Sequence, residues 1–316
     1  MRPRSLSPVI ESYMVSMYQH GTTTGQIAAL FNLTVPGICK ILKRNNVEMR
    51  SRGSDTALPE AVLTEYKGTR IYVANPMLHD VYSLMEKHSL SHAQAVPYWG
   101  GMPATHKTTF LWVNELHRPG LSKMIAHKAG SAERVCSARD CEVIQVSREV
   151  SSEFYNTWHI QGSCNSANCL GLTYQGDLVA CMTFNSGAAC RGNAADHLLQ
   201  RFACTGSVPG GASKLLSHFR RSNPGSIISY SDKRYAVGGL YTTLGFKQIF
   251  DHRPDYRYWL PEKQAWHGKS RFQLKHLRPL MEAAGKSWEG LTEWDMSKSL
   301  GFKRCYDLGK LTWLLE

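Results

Sequence analysis

Residues 8–50 repeat apolar side chains at helical spacing, and this pattern restricts the N-terminal part of the chain more than any other feature. A first helix is predicted over roughly Ser7–Tyr18 and a second over Thr23–Phe31. Asn32–Val35 forms the turn that follows. Pro36 opens a third helix, because proline suits the first helical position, where its missing N–H has no partner to lose. The segment is therefore expected to fold as three short helices.

The third predicted helix places basic side chains beside its apolar face. This order of helix, turn and helix resembles the DNA-binding unit of resolvases and repressors, in which the helix after the turn enters the major groove. The resemblance implies that residues 1–52 bind double-stranded DNA, and a small helical packing unit with a solvated basic face is the alternative. The candidate DNA-binding residues are Thr34, Lys40, Lys43, Arg44, Arg50 and Arg52.

The overall charge supports a polyanionic partner. The 316 residues carry a formal net charge of +12, and the sequence pI is about 9.3. An excess of Lys and Arg concentrates nucleic acid at a protein surface. Apolar residues make up 42% of the chain and charged residues 20%, which is typical of a folded chain with room for more than one domain.

The sequence predicts a cytoplasmic protein without a membrane partner. No run of 18 apolar residues occurs, and no secretion signal follows Met1. The nine cysteines are odd in number and scattered, unlike a disulfide framework, so reduced thiols are expected. The spacing of Cys136/Cys141 and Cys164/Cys169 leaves a zinc site as a weaker alternative. Oligomeric state does not follow from the residues.

Beyond a linker that begins at Ser51, three further regions are predicted. Residues 53–132 are expected to be mainly helical, although their role does not follow from the sequence. Residues 133–262 alternate predicted strands with helices. Strands are expected at Cys169–Tyr174, Leu178–Phe184, His197–Cys204 and Ile227–Tyr230, and a helix from Gly210 through Phe219, with Tyr256–Leu260 completing the sheet. Residues 263–316 are expected to add basic helices and a closing hairpin around Asp307–Gly309. The segments predicted as helical in the middle region are Leu58–Tyr66, Pro76–His88 and Lys107–Leu116.

The order of elements in residues 133–262 resembles the Gcn5-related N-acetyltransferase superfamily, which implies an α+β fold with a mixed sheet and flanking helices. A glycine turn between a strand and a helix lets backbone amides approach an anion, and Gly210, Gly211 and Ala212 are the candidate cofactor-binding residues. The resemblance implies an acyl-CoA-like donor. Ser207 stands where the superfamily usually has Arg or Gln. Tyr241 lies in an LYxxxGF segment, where the superfamily places a general acid.

Short motifs between residues 150 and 260 resemble the Mom-type phage DNA-modification proteins. That resemblance implies transfer of a small group to a base amine in DNA, with adenine N6 as the candidate acceptor, in the cytoplasm of a bacterial host. It also implies a metal at His159 and Asp232 as an alternative to the acyl-CoA-like donor. The matched catalytic positions are His159, Arg201, Ser213, Asp232 and Tyr241. In this interpretation Asp232 or His159 removes a proton or holds the metal. Arg201 neutralises an anionic substrate group, and Tyr241 returns a proton.

A second resemblance covers Val135 to Trp313 and is to the C-terminal region of phage homing endonucleases. Residues 56–130 lack the carboxylate-bearing strands of the nuclease domain that precedes this region in that family. Three interpretations therefore stay open: a DNA-modifying transferase, a homing-endonuclease-like DNA-binding protein, and a non-enzymatic DNA-binding regulator.

Overall fold

A computed structural model describes residues 6–50, 61–99, 105, 107–187 and 195–316, and shows a mixed α+β fold. Three sheets occur in this part of the chain, with seven, three and three strands. No single helix in the described ranges has the length and apolar content to cross a membrane; the second and third helices satisfy both only when joined across a 107° bend.

The N-terminal segment forms the three predicted helices, α1 (Pro8–Gln19), α2 (Thr24–Phe31) and α3 (Val35–Arg44). Thr23 begins α2 with a capping box, in which its hydroxyl accepts the Gln26 N–H and the Gln26 side chain accepts the Thr23 N–H. This pairing satisfies backbone donors that would otherwise lack partners at the start of the helix.

The helices share their core with the region that follows. Ile27, Ile38 and Leu42 are fully buried in one cluster with Ile71 and Leu111. Because that cluster crosses the expected boundary near residue 52, the N-terminal helices are packed on the rest of the molecule.

The region after residue 60 contains a sheet that the sequence analysis missed. Strands β1 (Ala61–Tyr66) and β2 (Thr69–Ala74) form a hairpin, and β3 (Thr108–Trp112) pairs parallel to β2. Helices α4 (Val81–His88), α5 (His92–Ala95) and α6 (Leu121–Lys128) complete the region.

The helix predicted over 58–66 was therefore wrong in its described part. Of the helix predicted over 107–116, the first half is strand β3 and the second half lies in a short 3-10 helix, Val113–His117. The helix predicted from Pro76 begins only at Val81. In β1 the buried side chains Val62 and Thr64 alternate with exposed ones, which is the period of a strand. Every second side chain of β1 packs against the N-terminal core, and this tertiary packing favours a strand over the predicted helix.

The largest sheet has the order β4-β5-β6-β7-β8-β13-β9. Only β7 and β8 run parallel. Helix α7 packs on one face of the sheet, and helix α8 packs on the other. The strands and helices of this sheet are β4 (Glu142–Gln145), α7 (Arg148–Trp158), β5 (Asn168–Tyr174), β6 (Asp177–Ser186), β7 (His197–Cys204), α8 (Gly211–Ser222), β8 (Ile227–Asp232), α9 (Gly239–Thr243), β9 (Lys247–Asp251) and β13 (Lys310–Leu315).

Between β9 and β13 the chain leaves this sheet and builds a smaller one. Strand β10 pairs with both β11 and β12, and helices α10 and α11 pack beside them. The prediction that Tyr256–Leu260 completes the large sheet was wrong. These elements are β10 (Tyr256–Leu260), β11 (Ala265–Gly268), α10 (Leu274–Ala283), α11 (Glu293–Ser299) and β12 (Lys303–Tyr306).

The predicted hairpin around Asp307–Gly309 was also wrong, because β12 and β13 belong to different sheets. The chain crosses itself there. A Cβ built on Gly309 would stand 2.1 Å from the carbonyl oxygen of His252, and the glycine has a φ of +81°. Only glycine fits at this crossing. Beyond it, residues 263–316 supply strand β13 to the large sheet.

Candidate functional site

The parallel strands β7 and β8 diverge at the centre of the large sheet. They pair only from His197 opposite Ile227 to Leu199 opposite Ser229. Just beyond that point β7 has a bulge against β6, so that Gln200 has no opposite residue. Diverging parallel strands leave a crevice at their carboxyl ends, where ligands commonly bind. We call this crevice the fork.

Tyr241 lies at the closed end of the fork. Its hydroxyl oxygen is 2.9 Å from the Oγ of Ser229, the last residue of β8 that pairs with β7. The ring stacks on Trp313 at 5.4 Å between centroids and an angle of 11°. Burial raises the pKa of the Tyr241 hydroxyl, so the phenol is neutral at physiological pH.

Arg201 lies close enough to His159 for its charge to act on the imidazole. The Arg201 Nη1 donates to the carbonyl oxygen of Gln200 at 2.9 Å. Burial first, and then the positive charges of Arg201 and Arg118, lower the pKa of His159 to about 3. The charge of Arg201 also reaches Tyr241, where it acts against the effect of burial on the pKa. The charge of Arg201 therefore acts on two of the other predicted catalytic residues, His159 and Tyr241.

The proton of His159 has a defined position. Its Nδ1 accepts the backbone N–H of Gln161 at 3.1 Å, and the neutral ring therefore carries its proton on Nε2. His159 follows α7 directly, and its own N–H donates to the carbonyl oxygen of Tyr155. The ring is a hydrogen-bond donor in this state, and the expected role as a proton-accepting base does not fit it.

Asp232 does not join this group. Its two carboxylate oxygens accept the backbone N–H and an Nη2–H of Arg234, each at 3.0 Å. Arg234 also donates to Glu115 at 3.0 Å, so Asp232 belongs to a buried ion network between β8 and the segment after β3. The expected role of Asp232 in proton removal is therefore corrected to a structural one.

The same contacts argue against a metal at His159 and Asp232. Asp232 is neutralised by Arg234, and two guanidinium groups lie near His159. Positive neighbours oppose a bound cation. Within the described ranges no group of three or more His, Cys, Asp or Glu side chains has the geometry of a metal site.

The glycine turn borders a basic cavity of about 600 Å³ at the N-terminus of α8. Gly210 lines the cavity, with a φ of +78°, whereas Gly211 and Ala212 are buried against the sheet. Ser213 is exposed on the first turn of α8. The lining residues are Arg134, Ser137, Ala138, Arg139, Pro209, Gly210 and Lys214.

Three basic side chains of this cavity were not predicted from the sequence. Lys214 donates to the carbonyl oxygens of Ala138 and Cys141, at 2.9 and 2.6 Å, and so holds the segment before β4 against α8. Arg134 and Arg139 are exposed at the rim. Arg134 forms an isolated parallel β-bridge with Ser207, and this bridge brings it to the cavity. The local sequence does not reveal the contact.

The predicted DNA-binding residues divide into two groups. Lys40 and Lys43 are exposed on α3. Arg44 forms an ion pair with Glu11 of α1, and Arg50 lies 4.1 Å above the Tyr18 ring and donates to the Thr22 carbonyl oxygen at 2.6 Å.

Thr34 begins α3, because its hydroxyl accepts the Gly37 N–H at 3.2 Å. Arg52 lies outside the described residues. The two lysines are therefore the basic side chains of this set that stand clear of other described residues, whereas Arg44 and Arg50 hold the three helices together.

Comparison of the chain with protein-family models finds no match, and comparison with curated proteins finds none either.

Proposed function

We propose that this chain is a DNA-modifying group transferase with a helix-turn-helix and an acyltransferase-like domain, and that it transfers a small group from an acyl-CoA-like donor to a base amine, with adenine N6 as the candidate acceptor. The observation that carries the proposal is the fork, because Arg201 stands there within electrostatic reach of both His159 and Tyr241. The resemblance to Mom-type proteins names the same three positions.

The basic cavity fits the phosphates of a nucleotide-linked donor. Arg134 and Arg139 supply positive charge at its rim, and the backbone at Gly210 opens the N-terminus of the 12-residue helix α8. Free N–H groups at a helix N-terminus favour phosphate. An acyl-CoA-like donor, when bound, would supply an activated carbonyl group.

The residues of the fork suit the handling of that carbonyl group and of an amine. The guanidinium of Arg201 provides a fixed positive charge for an oxygen that gains negative charge. The neutral His159 offers an Nε2–H donor, and the neutral Tyr241 offers a hydroxyl. These side chains hold and orient the reacting groups, and the bulge at Gln200 directs the backbone of β7 toward the crevice.

DNA would be held by α3 through Lys40 and Lys43, with phosphates as their partners. A base in a duplex cannot enter a crevice between strands, so the target base must leave the stack, at a cost of a few kcal/mol. The proposed location is the cytoplasm of a bacterial host, which agrees with the free thiol state of all eight cysteines in the described part of the chain.

Mass spectrometry of nucleosides tests the proposal. DNA is recovered from bacterial cells that express the chain, digested and searched for a heavier adenosine. The adduct is expected with the wild type and with Lys263→Ala, which alters an exposed lysine in the turn between β10 and β11. It is expected to vanish with Arg201→Gln and with Tyr241→Phe.

Two other outcomes would overturn the proposal. Strand breaks without an adduct would favour the homing-endonuclease-like interpretation. A biological effect on DNA that survives both Arg201→Gln and Tyr241→Phe, with neither adduct nor breaks, would favour a non-enzymatic DNA-binding regulator.

A further inference from the structure

The two halves of the large sheet are covered differently on the face that carries α7, which we call the α7 face. Thr183 of β6 lies on this face, because its hydroxyl donates to the Tyr155 hydroxyl of α7 at 2.6 Å. The core between this helix and the sheet draws on β5, β6, β7 and Val146, and among the described residues on none of β8, β13 and β9. The α7 face of the last three strands therefore lies beyond that core.

A row of aromatic side chains occupies this half of the α7 face. Ser229 faces the α8 side of the sheet, so Tyr230, the next residue of β8, faces the α7 side. Thr312 is opposite Tyr230, and Phe250 is opposite Thr312. The His252 ring lies between the other two rings, with centroid distances of 6.2 Å to Tyr230 and 4.6 Å to Phe250. We call Tyr230, His252 and Phe250 the aromatic row.

The aromatic row runs from the fork to the edge of the sheet. Tyr230 is the first residue of β8 beyond the part that pairs with β7. Arg201 is opposite Thr183 on the neighbouring strands, and it therefore lies on the same face as the row. At the other end, Phe250 belongs to β9, which is the edge strand of the sheet. A ligand on the row would thus extend from the fork to the sheet edge.

The exposure and charge of this region suit a ligand that has both flat rings and negative charge. Phe250 is 58% exposed and is the most exposed large apolar side chain in the described part of the chain. A hydrogen bond of 2.7 Å between the His252 Nε2 and the Thr312 Oγ1 holds the imidazole in place. Lys310 is exposed two residues before Thr312 on β13, and it therefore adds positive charge on the same face.

We propose that the aromatic row binds unpaired DNA bases by stacking, with Lys310 beside the phosphates of the same strand. Every base has a flat π-face, and aromatic side chains next to basic ones bind single strands with little sequence preference. Bases inside a duplex stack on each other and cannot use such a surface. This inference rests on the proposed function and deepens it, because the row would hold bases that have left the duplex next to the fork.

The first experiment measures the binding of a labelled single strand of about 12 nucleotides by fluorescence anisotropy. Phe250→Ala is expected to raise the Kd by about 10-fold, because it removes one stacking partner. Phe250→Trp keeps a ring and should bind at least as tightly as the wild type. Ile249→Ala is the matched control, since Ile249 is an apolar neighbour on the same strand, is 46% exposed and has no ring. Its Kd should stay close to that of the wild type.

The second experiment uses an abasic strand of the same length, which keeps the phosphates and lacks the bases. Phe250→Ala and the wild type should bind this strand equally, whereas Lys310→Ala should weaken the binding of both strands by the same factor. The inference would be overturned if the wild type did not bind the base-containing strand, if Phe250→Ala bound it as tightly as the wild type, or if Phe250→Ala lost the same factor on the abasic strand.

These measurements do not depend on group transfer. If the wild type forms no adenosine adduct but Phe250→Ala shows the 10-fold loss, the proposed function fails and the stacking surface stands. An adduct together with unchanged strand affinity in Phe250→Ala would give the opposite result. Sedimentation of the same two proteins tests a second copy of the chain as the occupant. A dimer that Phe250→Ala dissociates, with no change in strand affinity, would overturn the inference.

Discussion

The buried ion network between β3 and β8 should hold the middle region on the large sheet. Glu115 follows β3 and accepts from the Trp112 N–H at 3.0 Å, from Arg234 at 3.0 Å and from the Tyr235 hydroxyl at 2.7 Å. Only 5% of the Glu115 side chain and 11% of the Arg234 side chain are exposed. We predict that Glu115→Gln, which keeps the volume and removes the charge, lowers stability strongly.

The magnitude follows from what the substitution leaves behind. Arg234 would stay buried with Asp232 as its remaining carboxylate, and removing one partner of a buried ion pair costs about 3–5 kcal/mol. Because Asp232 still neutralises part of the charge, about 3 kcal/mol is expected. With a urea m-value of about 3 kcal/mol per molar, the unfolding midpoint should fall by about 1 M.

Urea unfolding followed by tryptophan fluorescence is the assay, and Asp251→Asn is the matched control. Asp251 pairs with Lys233 at 2.7 Å, but 56% of its side chain is exposed, and such pairs contribute only about 0–1 kcal/mol. Equal midpoints for Glu115→Gln and Asp251→Asn would refute the reasoning, because burial would then make no difference to an ion pair in this molecule.

Three further predictions concern other parts of the chain. The pKa of His159 is about 3 in the folded protein and about 6.5 in the unfolded chain, so the unfolded chain binds the extra proton and stability falls as the pH drops below about 6.5. Relative to His159→Asn, the wild type should lose up to about 2 kcal/mol between pH 7.5 and 5 in urea unfolding; parallel curves would contradict the assignment. Lys43→Ala should weaken DNA binding, reduce by about 1 the slope of log K for DNA against log salt concentration, and leave the melting temperature unchanged. Arg50→Ala should lower the melting temperature, because it breaks contacts with Tyr18 and Thr22. Identical melting curves for the two variants would contradict this division of roles. Gly309→Ala should destabilise the protein by more than about 2 kcal/mol, and Gly285→Ala, which has a φ of +65° and open space around its Cβ, by about 1 kcal/mol; similar losses in thermal melting would show that the chain crossing is not tight.

Sequence patterns predicted the elements whose folding is local. The three N-terminal helices formed where the apolar spacing and Pro36 indicated them. The strands β5 to β8 and helix α8 also formed within a few residues of their predicted positions. In the helices and in the β5–β6–β7 meander, neighbours along the chain satisfy the backbone, so the local signal is sufficient.

Contacts between segments that are distant in the chain could not be predicted from local sequence patterns. Asp232 ends strand β8, where a catalytic aspartate could stand, yet its partner Arg234 is itself held by Glu115, which follows β3 of another sheet. Ser229 carries no local sign that it faces Tyr241. The sequence predicts Arg50 as a DNA-binding residue, whereas in the structure its side chain packs on the Tyr18 ring. Charge alone does not show whether an arginine is held by other residues of the protein or is exposed to a partner.

The route of the chain between β9 and β13 has an evolutionary consequence. These two strands are neighbours in the large sheet, with Leu311 opposite Asp251, so a short turn would be enough to connect them. The intervening module leaves and returns at adjacent points, since Tyr256 pairs with Tyr306. Related chains can therefore change the length of this module without disturbing the fork, provided that its core with the middle region, which joins Trp259 and Cys305 to Tyr72, is kept.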